Sequence, residues 1–107
     1  MPINLTIEET PKKSTKRFRA IFRIHKGSKD KGDIIKITDF GLKNFKLGTY
    51  IDHGSKKSRS AYRARHKSDL LTKDYKRAGF LSMGLLWGEH TDLNKNLKDY
   101  KKKYKLD

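Results

Sequence analysis

A chain of 107 residues is long enough for one domain with a modest core and too short for that core plus a separate functional domain. Apolar residues make up 34% and charged residues 36%, and 27 Lys and Arg against 12 Asp and Glu leave a net charge of +15, so the fold repels itself unless something anionic lies close by. The absence of cysteine excludes disulfides and thiolate zinc sites and fits a reducing compartment.

Met1-Pro2-Ile3-Asn4-Leu5 has neither the basic nor the apolar region of a secretory signal, so none is expected. The first half reads as strands. Leu5 and Ile7 alternate with polar residues over Asn4 to Glu8, and Phe18, Ala20, Phe22 and Ile24 alternate with basic residues over Arg17 to His25. Asp33 to Phe40 carries Ile34, Ile35 and Ile37, a third half-buried strand pattern. Thr10 to Ser14 and Lys26 to Gly32 are rich in turn formers and lysine, which predicts exposed antiparallel connections and a meander. A last extended piece, Lys46 to Asp52, is expected at the sheet edge.

The period then changes. From Ser55 to Lys67 there is no glycine or proline, and Arg59, Arg63 and Lys67 recur every four residues along one face of a basic helix. Ala78 to Trp87 is apolar on nearly every side and is predicted to be the central buried helix. The glycines at 79 and 84 each cost about 1 kcal/mol against alanine there, which predicts close approach of another backbone. Gly88 marks a stop, and Thr91 or Asp92 supplies an N-cap for a last helix. In that helix Leu93, Leu97, Tyr100 and Tyr104 face the core and Lys95, Lys98, Lys102 and Lys105 face away. The most apolar window of the chain, Ala78 to Gly88, is shorter than the roughly 20 residues needed to span a bilayer. The expectation is one α+β domain over residues 1–107: a small antiparallel sheet in the N-terminal half, packed by about three C-terminal helices.

The segment 55–67 holds Lys56, Lys57, Arg59, Arg63, Arg65 and Lys67 and no acid. Like charges at i, i+4 destabilise a helix by roughly 0.2–0.5 kcal/mol per pair, so the row gains from phosphates or carboxylates opposite it. A solvated face, an acidic protein partner and nucleic acid are all consistent with it. Lys101, Lys102 and Lys103 form a second cluster. His25, His53, His66 and His90 show no metal-ligand spacing, so neither a metal nor a cofactor is expected. Asp52-His53-Gly54-Ser55 invites a triad reading, but no nucleophile elbow is present and a capped turn explains it better. No catalytic residue, and hence no small-molecule substrate, is assigned. Trp87 is expected as a partly buried core lid, Tyr62 as packed inward, and Phe18, Phe22 and Tyr50 as core rather than a base-stacking surface.

Phe40-Gly41, Tyr50-Ile51-Asp52-His53, the run Ala61 to Lys67, Ala78-Gly79-Phe80-Leu81-Ser82, Leu85-Leu86-Trp87-Gly88 and the run Leu97 to Tyr104 follow one another in this order. Together they resemble a group of small basic proteins encoded by nucleocytoplasmic large DNA viruses. The resemblance covers about Ile34 to Leu106, leaving 1–33 as a more variable N-terminal part. It departs from the usual pattern at Gly54-Ser55 and at Leu70-Leu71, where an Asp-His-Lys-Asp-like stretch and a tryptophan are the norm. The resemblance implies a virion component, assembled in the host cytoplasm, with the major capsid protein or other virion proteins as partners. Nucleic acid is the alternative partner, and no membrane span is implied.

Overall fold

A computed structural model describes residues 3–24, 33–43 and 48–107. Three strands, β1 (Ile3–Glu9), β2 (Lys16–Ile24) and β3 (Asp33–Leu42), form an antiparallel meander in the order β1-β2-β3. Helical segments follow: α1 (Tyr50–His53), α2 (Lys56–Arg65), α3 (Lys67–Leu71), α4 (Ala78–Leu81), which runs on as a π-helical turn over Ser82–Leu86, and α5 (Leu93–Lys103). This is the α+β architecture expected, with more helical pieces than the three anticipated. The basic segment breaks at His66, and a short helix forms where a strand was expected. His25, the 26–32 connection and the start of the 46–52 piece lie outside the described residues.

Register explains which side of the sheet is covered. Leu5 pairs with Phe22, Ala20 with Thr38 and Phe18 with Phe40, so these side chains share one face. Leu5, Ala20, Phe22 and Phe40 are wholly buried there against Phe80, Leu81, Leu85 and Leu86. The opposite face carries Arg19, Ile21 and Arg23, with Asp39 opposite Arg19 and bonded to it at 2.8 Å.

In the third strand, expected to be half-buried, Ile34, Ile35 and Ile37 stay outside the core and are 51%, 40% and 49% exposed. Two causes act together. Among the described residues the helices pack against the face of Leu5, Ala20, Phe22 and Phe40, and the register slips so that Phe22 meets Lys36 while the next residue, Arg23, meets Ile34. Ile35 is the extra residue of that bulge. The far edge of β1, by contrast, is closed: Asp107 N–H donates to the Ile3 carbonyl (2.8 Å) and Leu5 N–H to the Asp107 carbonyl (2.9 Å).

The expected edge strand at 46–52 is replaced, in its described part, by α1. Thr49 caps that helix, its N–H and Oγ1 both donating to Asp52 Oδ2 at 2.8 Å. Gly54 then ends it in the left-handed region at φ 66°, where a side chain is disfavoured, and Ser55 Oγ accepts from Ser58 N–H to start α2. Asp52 also receives a bidentate pair from Arg17 on β2, at 2.8 and 2.9 Å, which ties the helical layer to the sheet.

The Arg17 guanidinium, aided by Thr49 and opposed by partial burial, holds the Asp52 carboxyl well below the usual carboxylate range. A carboxyl whose pKa drops on folding stabilises the fold in full above its unfolded value of about 4 and loses that contribution as the pH falls toward the folded value. Urea midpoints are therefore expected to fall below pH 4, with a shallower fall in Asp52→Asn. Equal acid slopes for the two proteins would show that this pair does not set the acid limit.

The α4 segment and its π-turn form the central core element, with Leu81, Met83, Leu85 and Leu86 at most 1% exposed and Trp87 at 4%. Trp87 is thus a buried residue rather than a partly buried lid. The glycines here make room for side chains, not for the expected second backbone: a Cβ on Gly84 would lie 2.6 Å from the Tyr100 ring and one on Gly79 2.8 Å from the Asp69 carboxyl. Backbone crowding occurs instead at Gly88, whose Cβ would stand 2.3 Å from the Gly84 carbonyl.

Candidate partner-binding surface

No residue of α2 is fully buried, so no continuous apolar stripe holds it. Two arginines do most of that work, beside the half-buried Tyr62. Arg59 Nε donates to the carbonyls of Trp87 (3.2 Å) and Gly88 (2.8 Å), and Arg63 Nη1 to those of Met83 (3.1 Å) and Trp87 (2.9 Å). These carbonyls belong to the end of the central helix, where the chain turns away and the intrahelical donors run out. The partial negative charge of a helix C-terminus favours cations, so two guanidiniums one turn apart share it. The anion expected opposite the Arg59 and Arg63 row is in this way supplied partly from within.

Tyr62, between them, packs inward as expected. Its ring stacks on Trp87 at 4.3 Å and 7°, with His66 stacked on it at 4.1 Å and His53 meeting Trp87 edge-on at 5.7 Å. Burial raises the Tyr62 hydroxyl pKa, which keeps it neutral. The helix then breaks at His66, which places Lys67 in α3 and ends the row after two members.

The remaining cations divide cleanly. Lys56, Lys57, Arg65 and Lys67 are exposed, as are Lys102 and Lys103 on α5, while Lys101 is half-buried. The outward lysines Lys95, Lys98 and Lys105 are exposed as well. Among the described residues the ion pairs join Arg17 to Asp52, Arg19 to Asp39, Arg77 to Asp74, His66 to Asp69 and His90 to Asp99. None of the nine candidate cations takes part in one.

The two basic helices flank a cleft of about 290 Å³. Arg59 and Arg63 of α2, Lys103 and Tyr104 at the end of α5, and Phe80, Met83 and Gly84 of the central element all line it, as do Glu89 and Asp99. The structure therefore brings Arg59, Arg63 and Lys103 to one place and leaves Lys56, Lys57, Arg65 and Lys67 outside it.

Sequence reasoning missed Asn96, which is 2% exposed and organises the turn beside this cleft. Its Nδ2 donates to the Leu85 and His90 carbonyls (2.9 and 2.8 Å), and its Oδ1 accepts from His90 N–H at 2.9 Å. The signal was present, since position 96 lies one turn from both Leu93 and Tyr100 on the inward face of α5.

The residues of the Asp52-His53-Gly54-Ser55 stretch are occupied separately. Asp52 faces Arg17, and His53 Nδ1 accepts the Ser55 backbone N–H at 2.9 Å rather than its hydroxyl. Phe22 and Tyr50 are buried and Phe18 half-buried in the core cluster, so none of them offers a ring to a base. Among the described residues no three histidines or carboxylates gather as a metal-binding group would, and no helix is long and apolar enough to cross a membrane. No protein-family model matches this chain, and no curated protein or solved structure matches it either.

Proposed function

We propose that this chain is a minor capsid or other virion structural protein of a large DNA virus, without catalytic activity, that cements acidic surfaces of the major capsid protein or its neighbours during assembly in the host cytoplasm. One observation carries the reading: the exposed cations Lys56, Lys57, Arg65, Lys67, Lys102 and Lys103 have no carboxylate partner among the described residues. Such unpaired surface charge contributes little to the fold and raises the on-rate and selectivity for an anionic partner. The resemblance of residues 34–106 to small basic viral proteins supplies the context.

Neutralising Lys56, Lys57, Arg65 and Lys67 to glutamine is expected to weaken association with the acidic partner at least tenfold while moving the unfolding midpoint little, because these side chains are exposed and have no ion-pair partner among the described residues. Crosslinking in purified particles locates the partner. Particles in which α2 and α5 crosslink to no protein would overturn the proposal.

Nucleic acid binding is the second reading, favoured by the net charge of +15. It requires affinity that falls steeply with salt, about one counterion per phosphate contacted. Gel shifts with duplex DNA at low and physiological salt decide it: retention at physiological salt supports genome association, and loss of all binding there leaves the capsid role.

A further inference from the structure

The arginine pair has donors left over. Arg59 bonds the carbonyls through Nε alone and Arg63 through Nη1 alone, so the two Nη groups of Arg59 and the Nε and Nη2 of Arg63 bond no acceptor among the described residues. The two guanidiniums converge on one oxygen, that of Trp87, with no carboxylate bridging to either among the described residues. Helix-end carbonyls carry only partial charge, and Glu89 attracts Arg63 without forming an ion pair with it among the described residues, so the two cations are compensated in part and leave a place for one more oxyanion.

The cleft beside them limits what carries that oxyanion. At about 290 Å³ it holds a side chain or two rather than a large ligand. Phe80 and Met83, 5% and 1% exposed, lie at its base, the half-buried Leu70 and Tyr104 supply most of its apolar surface, and Lys103 adds a third cation. Glu89 and Asp99 line it too, which penalises a dense polyanion such as a nucleic acid backbone and tolerates a single negative charge. Guanidinium forks match planar carboxylates, and the lining matches an aromatic or aliphatic neighbour.

We propose that the cleft between α2 and α5 is a receptor pocket for one carboxylate flanked by an apolar side chain, such as a Phe-Glu or Leu-Glu step in an acidic segment of a partner protein. This inference rests on the acidic-partner reading above and assigns its anchor point. The exposed lysines attract the partner from a distance, and the arginine pair grips one residue of it.

The probe is the dipeptide N-acetyl-Phe-Glu-amide, titrated into the full chain while the arginine Nε–Hε and Trp87 indole resonances are followed. Saturable shifts of Arg59 and Arg63 are expected, with at least fivefold weaker binding for N-acetyl-Phe-Gln-amide and no displacement by inorganic phosphate. Glu89→Gln, which leaves the four arginine–carbonyl hydrogen bonds intact and removes a competing negative charge, is expected to tighten binding severalfold. Arg63→Lys, checked for folding by its unfolding midpoint, is expected to weaken it at least fivefold.

Saturation without movement of the arginine signals overturns the pocket, as does equal affinity for the Gln peptide or displacement by phosphate. If Arg63→Lys keeps full affinity for an acidic capsid protein that the lysine-neutralised variant has lost, the pocket fails and the cementing role stands. If the dipeptide binds as expected and no acidic protein does, the pocket stands and the role fails.

Discussion

Asn96→Ala is expected to lower unfolding free energy by about 3 kcal/mol, a large share of the roughly 5–15 kcal/mol that holds a domain of this size. The side chain satisfies two carbonyls and one N–H where the central helix ends and α5 begins, at 2.9, 2.8 and 2.9 Å. Truncation leaves all three backbone groups without a partner in a site 2% exposed, and each such group costs about 1 kcal/mol or more. Asn96→Asp separates shape from donation. It keeps the volume and the acceptor for His90 N–H, but sets a carboxylate against two carbonyl oxygens, so it is expected to fare no better than alanine at neutral pH. Urea denaturation with Trp87 emission as the signal reads both variants. A loss well under 1 kcal/mol for alanine would mean that water takes over the three bonds.

Arg63→Met is expected to cost about 2 kcal/mol, although arginine on a surface helix is ordinarily replaceable at almost no cost. Two carbonyls, those of Met83 and Trp87, lose a charged donor, and burial together with Arg59 already pulls the Arg63 pKa below its ordinary value. Arg59→Met acts on the same Trp87 oxygen, so the double variant is expected to lose less than the two single losses added, with relief of like-charge repulsion on one helix face contributing to the difference. Lys56→Gln and Lys67→Gln are the comparison, expected within about 0.5 kcal/mol of the parent. Additive losses for the arginine pair would contradict the shared carbonyl.

The strands and the central helix were legible because their periods are unambiguous. Phe18, Ala20 and Phe22 alternate without interruption, and nothing but a buried helix accommodates Ala78 to Trp87. The Leu93, Tyr100 stripe followed from the same logic, and of the two cap candidates, Thr91 and Asp92, it is Asp92 that caps α5. Three features were not legible, each for its own reason. Ile34, Ile35 and Ile37 look like core residues in any single-strand reading, and their exposure depends on which face the helices cover. Tyr50 to His53 is too short for a helical period to show, and its identity depends on Thr49 and Asp52 capping each other across three residues. Arg59 and Arg63 announce a need for negative charge, but composition cannot tell an internal carbonyl from an external carboxylate. Asn96, by contrast, is legible: its place on the inward face of α5 marks it as a buried polar group in an otherwise polar helix.

The bridge between Ile3 and Leu106 has a kinetic corollary. Asn4 and Asp107, bonded across 103 positions, are almost as far apart in order as this chain allows. Loop-closure entropy makes such a junction slow to form and quick to fray, so it belongs to the final steps of folding. Amide exchange at Leu5 and Asp107 is expected to outpace that of the mid-sheet pairs around Ala20, and to report how firmly the first strand is latched.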